Sequence, residues 1–222
     1  MLKTIVYLVR HAEAEGNISR RFHGQFDSNL TENGLRQALL LAKRFENEKV
    51  DIIYSSDLKR AYDTAKAVAE VKGLPVITDK KLREFSGGLW EDVEWDELPK
   101  RFPESFTAWE KEPHTAQIPG GESMIELQDR IKAAFYDIVS KNEGKNIAIF
   151  THGTAIKVLF CHFHGIPIKN WDKLPWQDNT AVSLVEVAGN TVKIIYEGDN
   201  SHLGEYSTLA KQDWWKKAID KS

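Results

Sequence analysis

Apolar residues along this chain occur in two patterns, short continuous runs and longer stretches with helical spacing. Short runs rich in β-branched residues are typical of strands, and a continuous apolar run indicates a strand buried on both faces. Two of the runs flank Gly189-Asn190, which predicts a hairpin turn between them. The predicted strands cover residues 4–9, 51–54, 74–78 (at a sheet edge), 146–150, 182–187 and 192–196.

Helical spacing of apolar residues follows three of these strands. Thr31 predicts the N-cap of the first helix, Ser55-Ser56-Asp57 supplies a cap for the second, and Gly73 ends it. Two further helices are predicted at 122–142 and 154–164. The apolar face of the first helix is predicted to contain Leu35, Ala38, Leu39, Ala42 and Phe45. Strands that alternate with helices favour a three-layer α/β/α sandwich with a mostly parallel central sheet.

The pattern changes between residues 90 and 121, where aromatic residues lie among acidic residues and four prolines. This composition predicts an inserted cap of short helices, separate from the main core, within a single domain that covers residues 1–222. The tryptophans of this segment either line a substrate pocket or only pack the cap, and the sequence leaves both readings open. They are Trp90, Trp95 and Trp109.

Composition excludes several classes of protein. A chain of 222 residues is long enough for one substantial core. Its net charge of −3 gives no basic footprint, so we expect neither nucleic acid nor a membrane surface as a partner. The single cysteine, Cys161, excludes a disulfide framework, and no apolar run is long enough for a signal peptide or a membrane span. These features predict a cytoplasmic protein, and they leave a monomer and a homodimer equally open.

Polar residues with useful chemistry follow three predicted strands directly. They are Arg10-His11, Ser55-Ser56 and Thr151-His152-Gly153. Ligands of parallel sheets bind at the carboxyl ends of the strands, so we expect these residues to lie together. Arg60 falls in the first turns of the helix after the second strand. Arginines and histidines without a dedicated set of carboxylates favour an oxyanion site, most simply for a phosphate.

Five sequence blocks carry a resemblance to a known family. Residues 10–17 read Arg-His-Ala-Glu-Ala-Glu-Gly-Asn, and residues 55–65 contain Ser-Ser, then Arg-Ala, then Thr-Ala. The other blocks cover 24–34, 82–91 and 121–123, with Thr151-His152-Gly153, Asn179 and His202-Leu203 later in the chain. In this order and spacing the chain resembles the histidine phosphatase superfamily, which has the phosphoglycerate mutase-like fold. The resemblance runs from about Thr4 to Leu203.

The resemblance implies a metal-independent phosphomonoester hydrolase without a cofactor, acting on a small phosphorylated metabolite. It implies that His11 attacks phosphorus and forms a phosphohistidine, and that Glu84 protonates the leaving oxygen and then activates water. Arg10, Arg60 and His152 would bind the transferring phosphoryl group. Substrate-binding roles are implied for Asn17, His23, Gly24 and Gly153.

Three residues depart from the family pattern. Ala12 replaces a glycine, Ala14 replaces a threonine or serine, and Thr154 replaces the second glycine of a His-Gly-Gly motif. The missing hydroxyl at Ala14 is expected to weaken the orientation of His11 and so the rate. The reaction type is expected to survive.

Two alternatives remain on the same fold, a cofactor-dependent phosphoglycerate mutase and a non-catalytic phospholigand-binding protein. A mere binder has no need of Glu84, which argues against the second. A mutase needs further cations for a second phosphate, but segment 90–119 offers only Lys100, Arg101 and Lys111 against eight acidic residues. Cys161, His162 and His164 are not expected to hold a metal, because adjacent helical positions point about 100° apart. Trp214-Trp215 is interpreted as structural or interfacial.

Overall fold

In a computed structural model of the protein, which describes residues 2–211, six strands form one sheet. The strands are β1 Thr4–Arg10, β2 Ile52–Ser55, β3 Val76–Thr78, β4 Asn146–Thr151, β5 Val182–Ala188 and β6 Thr191–Asp199. Their order across the sheet is β3-β2-β4-β1-β5-β6. Pairing is parallel from β3 to β1 and antiparallel for β1 with β5 and β5 with β6. All six strands occur where the apolar runs predicted them. The Trp214-Trp215 pair lies outside the described residues.

Helices cover both faces of this sheet. The α-helices of the described region are α1 Glu15–Ile18, α2 Glu32–Phe45, α3 Lys59–Lys72, α4 Leu98–Arg101, α5 Pro103–Lys111, α6 Met124–Lys141 and α7 Gly153–Phe163. In β1, Val6 and Leu8 point toward one apolar cluster, which contains residues of α6 and α7. Tyr7 and Val9 point the opposite way, toward a second cluster with residues of α2 and α3. The predicted three-layer α/β/α sandwich is therefore confirmed. None of the helices in residues 2–211 combines the length and apolar character that crossing a bilayer requires.

The buried face of α2 differs from the prediction. Leu35 is 55% exposed and Leu39 is 68% exposed, whereas Leu41 and Gln37 are fully buried. Gln37 is buried because its side-chain amide is satisfied there: Oε1 accepts a hydrogen bond of 2.8 Å from the backbone N–H of Glu13. The helix packs only one face on the sheet. Because leucines occur on two of its faces, the sequence alone could not show which face is buried. The N-cap at Thr31 is confirmed, since its side chain accepts from the backbone N–H of Gly34.

The start of α3 also corrects the prediction. The residue before the helix is Leu58, and its side chain provides no cap. The backbone N–H of Lys59 instead donates to Asp27 Oδ1 at 2.8 Å, so a distant loop supplies the acceptor. The end of α3 is as predicted, because Gly73 adopts the left-handed conformation with φ of +64°.

Segment 90–121 forms short helices, as expected, but it is not separate from the core. The side chains of Trp90 and Leu98 are fully buried. Both belong to the same apolar cluster as Leu8 of the central strand. Trp90 also packs edge to face on Phe22, with ring centroids 5.5 Å apart. The aromatic residues of this segment therefore extend the core toward the carboxyl ends of the strands.

Candidate active site

The structure brings the predicted strand ends together. In the parallel pair of β1 and β4, Arg10 lies opposite Thr151, so the residues that follow emerge side by side. These are His11 and His152, whose ring centroids are 5.1 Å apart. Ser56, which follows β2, contacts Nε2 of His152 at 2.8 Å through its hydroxyl. Three strands thus position two imidazoles and a hydroxyl at one edge of the sheet.

The orientation of the His11 ring is fixed by the backbone. Its Nδ1 lies 2.7 Å from the carbonyl oxygen of Ala12. A carbonyl oxygen can only accept, so Nδ1 carries the proton and the lone pair of the neutral ring lies on Nε2. Burial lowers the pKa of His11 well below its usual value, and the positive charges of Arg60 and Arg10 lower it further. At neutral pH His11 is therefore an uncharged imidazole with a nucleophilic Nε2.

Two buried guanidinium groups flank this imidazole, and their hydrogen-bond partners are backbone carbonyls. Arg10 donates to the carbonyl of Gln177 at 2.6 Å. Arg60 donates to the carbonyls of Phe26 and Gly24, at 3.0 and 2.7 Å. Burial lowers the pKa of Arg60 to about 10, which leaves the group charged at neutral pH. Because carbonyl partners carry no net charge, both positive charges remain available to an anion.

Several buried polar atoms in this region have no hydrogen-bond partner. They include Nε of Arg10, Nδ1 of His152 and Oδ1 of Asn179. The pKa of His152 is held well below its usual value by burial, with Arg60 and His11 as further causes. If the Ser56 hydroxyl donates to Nε2, the neutral His152 ring carries its proton on Nδ1. Asn179 Oδ1 is an acceptor, but Nε of Arg10 and a protonated Nδ1 of His152 are donors. Buried unpaired donors are costly, and two of them here are typical of a site built for an oxyanion.

The carboxylate of Glu84 is held at the N-terminus of α7. It accepts hydrogen bonds from the backbone N–H groups of Thr154 at 3.0 Å and Ala155 at 3.1 Å. The backbone N–H of Phe85 adds a third, at 2.9 Å. The amides of Thr154 and Ala155 are among those that a helix leaves unpaired in its first turn, and Glu84 supplies their acceptors. A carboxyl group is thereby fixed beside the histidine pair.

Glycine is required at two positions around the guanidinium groups. A Cβ atom on Gly153 would lie 3.2 Å from Nε of Arg10 and 3.3 Å from the ring of Trp176. Gly24 has a φ of +51°, and a Cβ there would lie 2.9 Å from a carboxylate oxygen. The carbonyl of Gly24 is the one that orients Arg60. Gly153 therefore allows a close approach to the Arg10 side chain, and Gly24 allows the left-handed turn whose carbonyl orients Arg60.

Asn17 belongs to a network behind His11. Its Oδ1 accepts from the backbone N–H of Ala14 at 2.9 Å and from Nδ2 of Asn179 at 3.3 Å. Asn179 also donates to the carbonyl oxygen of His11 at 2.9 Å. The two asparagines therefore connect the loop after β1 to the segment before β5, and both line the cavity described below.

His23 lies at the wall of the cavity. Its Nε2 is 2.8 Å from the hydroxyl of Ser28. Burial lowers the pKa of His23 to about 4, and the nearby charge of Arg60 contributes. The ring is therefore neutral at physiological pH, and it adds a polar group rather than a charge.

Most of these groups line a cavity of about 410 Å³ with a polar end and aromatic walls, whereas His152 is fully buried and does not line it. Arg10, His11, Arg60 and Glu84 form the polar end. The aromatic walls are formed by Phe22, Phe85, Trp95, Trp109, Trp171 and Trp176. Of the three tryptophans in the inserted segment, Trp95 and Trp109 line the cavity, and Trp90 packs in the core behind them.

The aromatic end of the cavity has little free positive charge. Arg21 lines it, but its guanidinium pairs with Glu94 at 2.9 Å and donates to the carbonyl of Asp92 at 2.6 Å. The three basic residues of the inserted segment do not line the cavity. These are Lys100, Arg101 and Lys111. The positive charges of this cavity that are not paired with a carboxylate are therefore those of Arg10 and Arg60, within the described residues.

Sequence reasoning assigned no role to Thr64, which supports the site from α3. Its hydroxyl accepts from the backbone N–H of Ala12 at 2.9 Å and donates to the carbonyl of Arg60 at 2.7 Å. Thr64 lies one helical turn after Arg60 in the sequence block 55–65. This spacing could have indicated that the two side chains lie on the same face of the helix. Trp171 and Trp176 carried no signal, because they lie outside the blocks and in irregular structure.

The three residues that depart from the family pattern contact the site through their main-chain atoms. The carbonyl of Ala12 orients His11, the N–H of Ala14 binds Asn17, and the N–H of Thr154 binds Glu84. A hydroxyl at position 14 is therefore not what orients the imidazole in this chain.

The histidines and cysteine of α7 do not converge. Cys161 is buried, His162 contacts the hydroxyl of Tyr136 at 3.0 Å, and His164 pairs with Glu197. Within residues 2–211, no three His, Cys, Asp or Glu side chains are grouped so that they could hold a metal ion.

Comparison with known proteins agrees with this geometry. The chain is 33% identical over 209 residues to Phosphoserine phosphatase 1 of Hydrogenobacter thermophilus, an alignment that covers 93% of this chain and 96% of that protein. It is 42% identical over 166 residues to the probable phosphoglycerate mutase GpmB of Yersinia pestis, covering 73% and 75%. The solved structure of Bacillus stearothermophilus YhfR superposes with a TM-score of 0.86 at 36% identity, covering 90% and 98%.

The family assignment rests on a match that covers most of the chain. The model of the histidine phosphatase superfamily, branch 1, matches residues 6–200. That span includes both imidazoles of the site and all six strands except the first two residues of β1, and the resemblance inferred from the sequence blocks is confirmed. The chain belongs to the histidine phosphatase superfamily.

Proposed function

We propose that this phosphatase hydrolyses small phosphomonoesters through a phosphohistidine formed on His11. The observation that carries the proposal is a neutral imidazole, with its lone pair on Nε2, between two buried guanidinium groups that are bonded to uncharged carbonyls. A nucleophile needs the neutral ring, and the phosphoryl group needs fixed positive charge. The similarity to phosphoserine phosphatase 1 supports the same class of reaction.

In the first step, the Nε2 lone pair of His11 attacks phosphorus, the N–P bond forms, and the P–O bond to the alcohol breaks. Glu84, as a carboxylic acid, donates its proton to the leaving oxygen. Arg10, Arg60 and the Nδ1–H of His152 compensate the charge on the phosphoryl oxygens.

In the second step, the Glu84 carboxylate accepts a proton from water as the water oxygen attacks phosphorus. The N–P bond breaks, and its electron pair returns to Nε2 of His11. Inorganic phosphate leaves, and Glu84 again holds the proton that the next substrate needs. The two steps thus replace one hydrolysis by two transfers of the phosphoryl group, first to His11 and then to water.

The charge distribution favours hydrolysis over a mutase reaction. A mutase binds a doubly phosphorylated intermediate and needs cations at both ends of it. Arg21, at the far end of this cavity, is already paired with Glu94. The 42% identity to a probable phosphoglycerate mutase favours a mutase, so the charges that line this cavity are the argument for hydrolysis.

Phosphate release and phosphoglycerate interconversion should be measured in parallel on the purified protein. The panel contains O-phosphoserine, 3-phosphoglycerate and 4-nitrophenyl phosphate without added metal, and His11→Asn is the control. We expect phosphate from simple monoesters and negligible conversion of 3- to 2-phosphoglycerate, even with bisphosphoglycerate present. Efficient conversion with little free phosphate would show a mutase. Binding of these esters without turnover would show a phospholigand-binding protein.

A further inference from the structure

A buried lysine lies directly behind one wall of the cavity. Lys157 is on α7, where its neighbours Ile156 and Val158 are fully buried, and it is itself only 6% exposed. Its Nζ lies 4.5 Å from the ring centroid of Trp171 and 4.4 Å from that of Trp176. Within the described part of the chain it makes no ion pair with a carboxylate. Two indole faces therefore provide the main compensation for a buried ammonium.

The two indoles that hold Lys157 are also part of the cavity surface. Trp171 and Trp176 both line the cavity, whereas Lys157 does not. Their rings meet nearly at right angles, at 84°, with centroids 5.6 Å apart. Trp176 also lies close to Gly153, because a Cβ atom on that glycine would be 3.3 Å from the Trp176 ring. One side of this pair faces the substrate space, and its other side faces the ammonium.

We propose that Lys157 is a positioning residue for substrate selectivity, whose ammonium holds Trp171 and Trp176 as a rigid wall for an uncharged, aromatic alcohol part of the phosphomonoester. The proposal rests on the proposed function, because the alcohol part reaches this wall only when the phosphoryl group occupies the polar end. Lys157 contacts no substrate atom itself. It acts by restricting the ring orientations of the two tryptophans before substrate binds.

The charge of Lys157, rather than its volume, is what holds the wall. An aromatic ring attracts a cation through the negative potential of its face, and a neutral amine loses most of that attraction. Cys161 on the same helix and Asp172 on the segment that carries Trp171 both favour the charged form, but burial outweighs them. The pKa of Lys157 is lowered to about 8. The ammonium is therefore present below about pH 8 and is lost as the pH rises through that value.

The test compares Lys157→Met, which keeps the length without the charge, with Lys157→Arg, which keeps a permanent charge. Lys66→Met removes a lysine charge from the exposed surface and is the matched control. For 1-naphthyl phosphate, we expect Lys157→Met to raise KM about tenfold and to leave kcat within about twofold, as expected for a lost desolvated cation–π contact. Acetyl phosphate, which has no aromatic group to pack on the wall, should keep its KM. Lys157→Arg and Lys66→Met should resemble the wild type.

A pH profile distinguishes a positioning charge from a merely structural side chain. In the wild type, KM for 1-naphthyl phosphate should rise above about pH 8, in step with loss of the ammonium. The profile should be flat and low for Lys157→Arg, and flat and high for Lys157→Met. A Lys157→Met enzyme with the wild-type KM for both substrates would overturn the proposal, and so would an equal rise for both.

A measurement without turnover separates this proposal from the proposed function. The tryptophan fluorescence of the wild type should change between pH 7 and 9, and that change should be absent in Lys157→Arg. No such change in the wild type would overturn the role of Lys157 even if Lys157→Met fails to fold. Absence of phosphatase activity, by contrast, would count against the proposed function and leave the fluorescence result standing.

Discussion

The nucleophile of this site is prepared before substrate arrives. A carbonyl oxygen holds the proton of His11 on Nδ1, and burial together with two arginines opposes any second proton on the ring. In the proposed reaction, the same arginines are the groups that an incoming phosphate meets. One pair of charges therefore keeps the imidazole neutral and also draws the substrate toward it.

The lowered pKa of His11 gives a prediction for the acid side of the pH profile. Protonation would remove the Nε2 lone pair, so a histidine with its usual pKa would lose activity below about pH 6.5. Because the pKa is well below that value, we expect kcat/KM to persist through pH 6.5 and to fall only at a clearly lower pH. The measurement is kcat/KM against pH, corrected for ionisation of the substrate. An acid limb centred near pH 6.5 that belongs to the enzyme would contradict the assignment.

The role of Glu84 can be tested through the leaving group. Glu84→Gln keeps the shape and removes the proton donor, so kcat/KM for alkyl phosphates should fall on the order of 10²–10⁴-fold. The fall in kcat/KM should be much smaller for 4-nitrophenyl phosphate, because nitrophenolate leaves without a proton. The ratio kcat/KM reports the first transfer even where the second becomes rate-limiting. Equal losses for both kinds of ester would assign Glu84 to another role.

Among the secondary-structure elements, α7 contributes most to the site. Its first turn fixes Glu84 through two amides, its first residue is Gly153, and its second turn carries Lys157. His152 lies directly between the end of β4 and the start of α7. A single helix N-terminus therefore orients both the acid and the phosphate-binding groups.

Replacing Gly153 by alanine should separate the guanidinium of Arg10 from this helix. The added Cβ would lie 3.2 Å from Nε, so the side chain must move by a few tenths of an ångström. We expect kcat/KM to fall about tenfold with little change in thermal stability, because small misplacements of binding groups are costly in catalysis. In an Arg10→Lys background the same change should cost much less. A full tenfold loss in both backgrounds would place the effect elsewhere than at Arg10.

Elements also differ in how well the sequence predicts them. The strands were found because continuous β-branched runs have few other interpretations, and the strand-end rule then located Arg10 and His11. The buried face of α2 was partly wrong because Leu35 and Leu39 are as apolar as Leu41, and only the position of the sheet decides among them. The wall of Trp171 and Trp176 could not be predicted, since irregular segments have no periodicity from which to infer proximity.

For the whole molecule, the separation of charge defines the chemistry. Positive side chains without carboxylate partners lie at one end of the cavity, and aromatic rings form the other. Arg21, which also lines the cavity, is already paired with Glu94 of the inserted segment. Such a cavity is suited to an ester with one phosphate and an uncharged remainder.

Because the cations of this site are side chains, activity should not require a metal ion. We expect kcat and KM to be unchanged after exhaustive treatment with EDTA and removal of the chelator. The measurement is phosphate release from 4-nitrophenyl phosphate before and after treatment. Activity that is lost and then restored by zinc or magnesium would show that the roles of the histidines and of Glu84 have been misassigned.

The central claim is that phosphate passes through His11, and trapping the phosphoenzyme tests it most directly. In Glu84→Gln, 4-nitrophenyl phosphate should still phosphorylate the enzyme, whereas water attack should be slow for lack of a base. Rapid quenching at alkaline pH followed by peptide mass spectrometry should therefore find one acid-labile phosphate, on His11, and none in the Glu84→Gln, His11→Asn double variant. Phosphate on another residue, or turnover by Glu84→Gln without any covalent phosphate, would contradict the account.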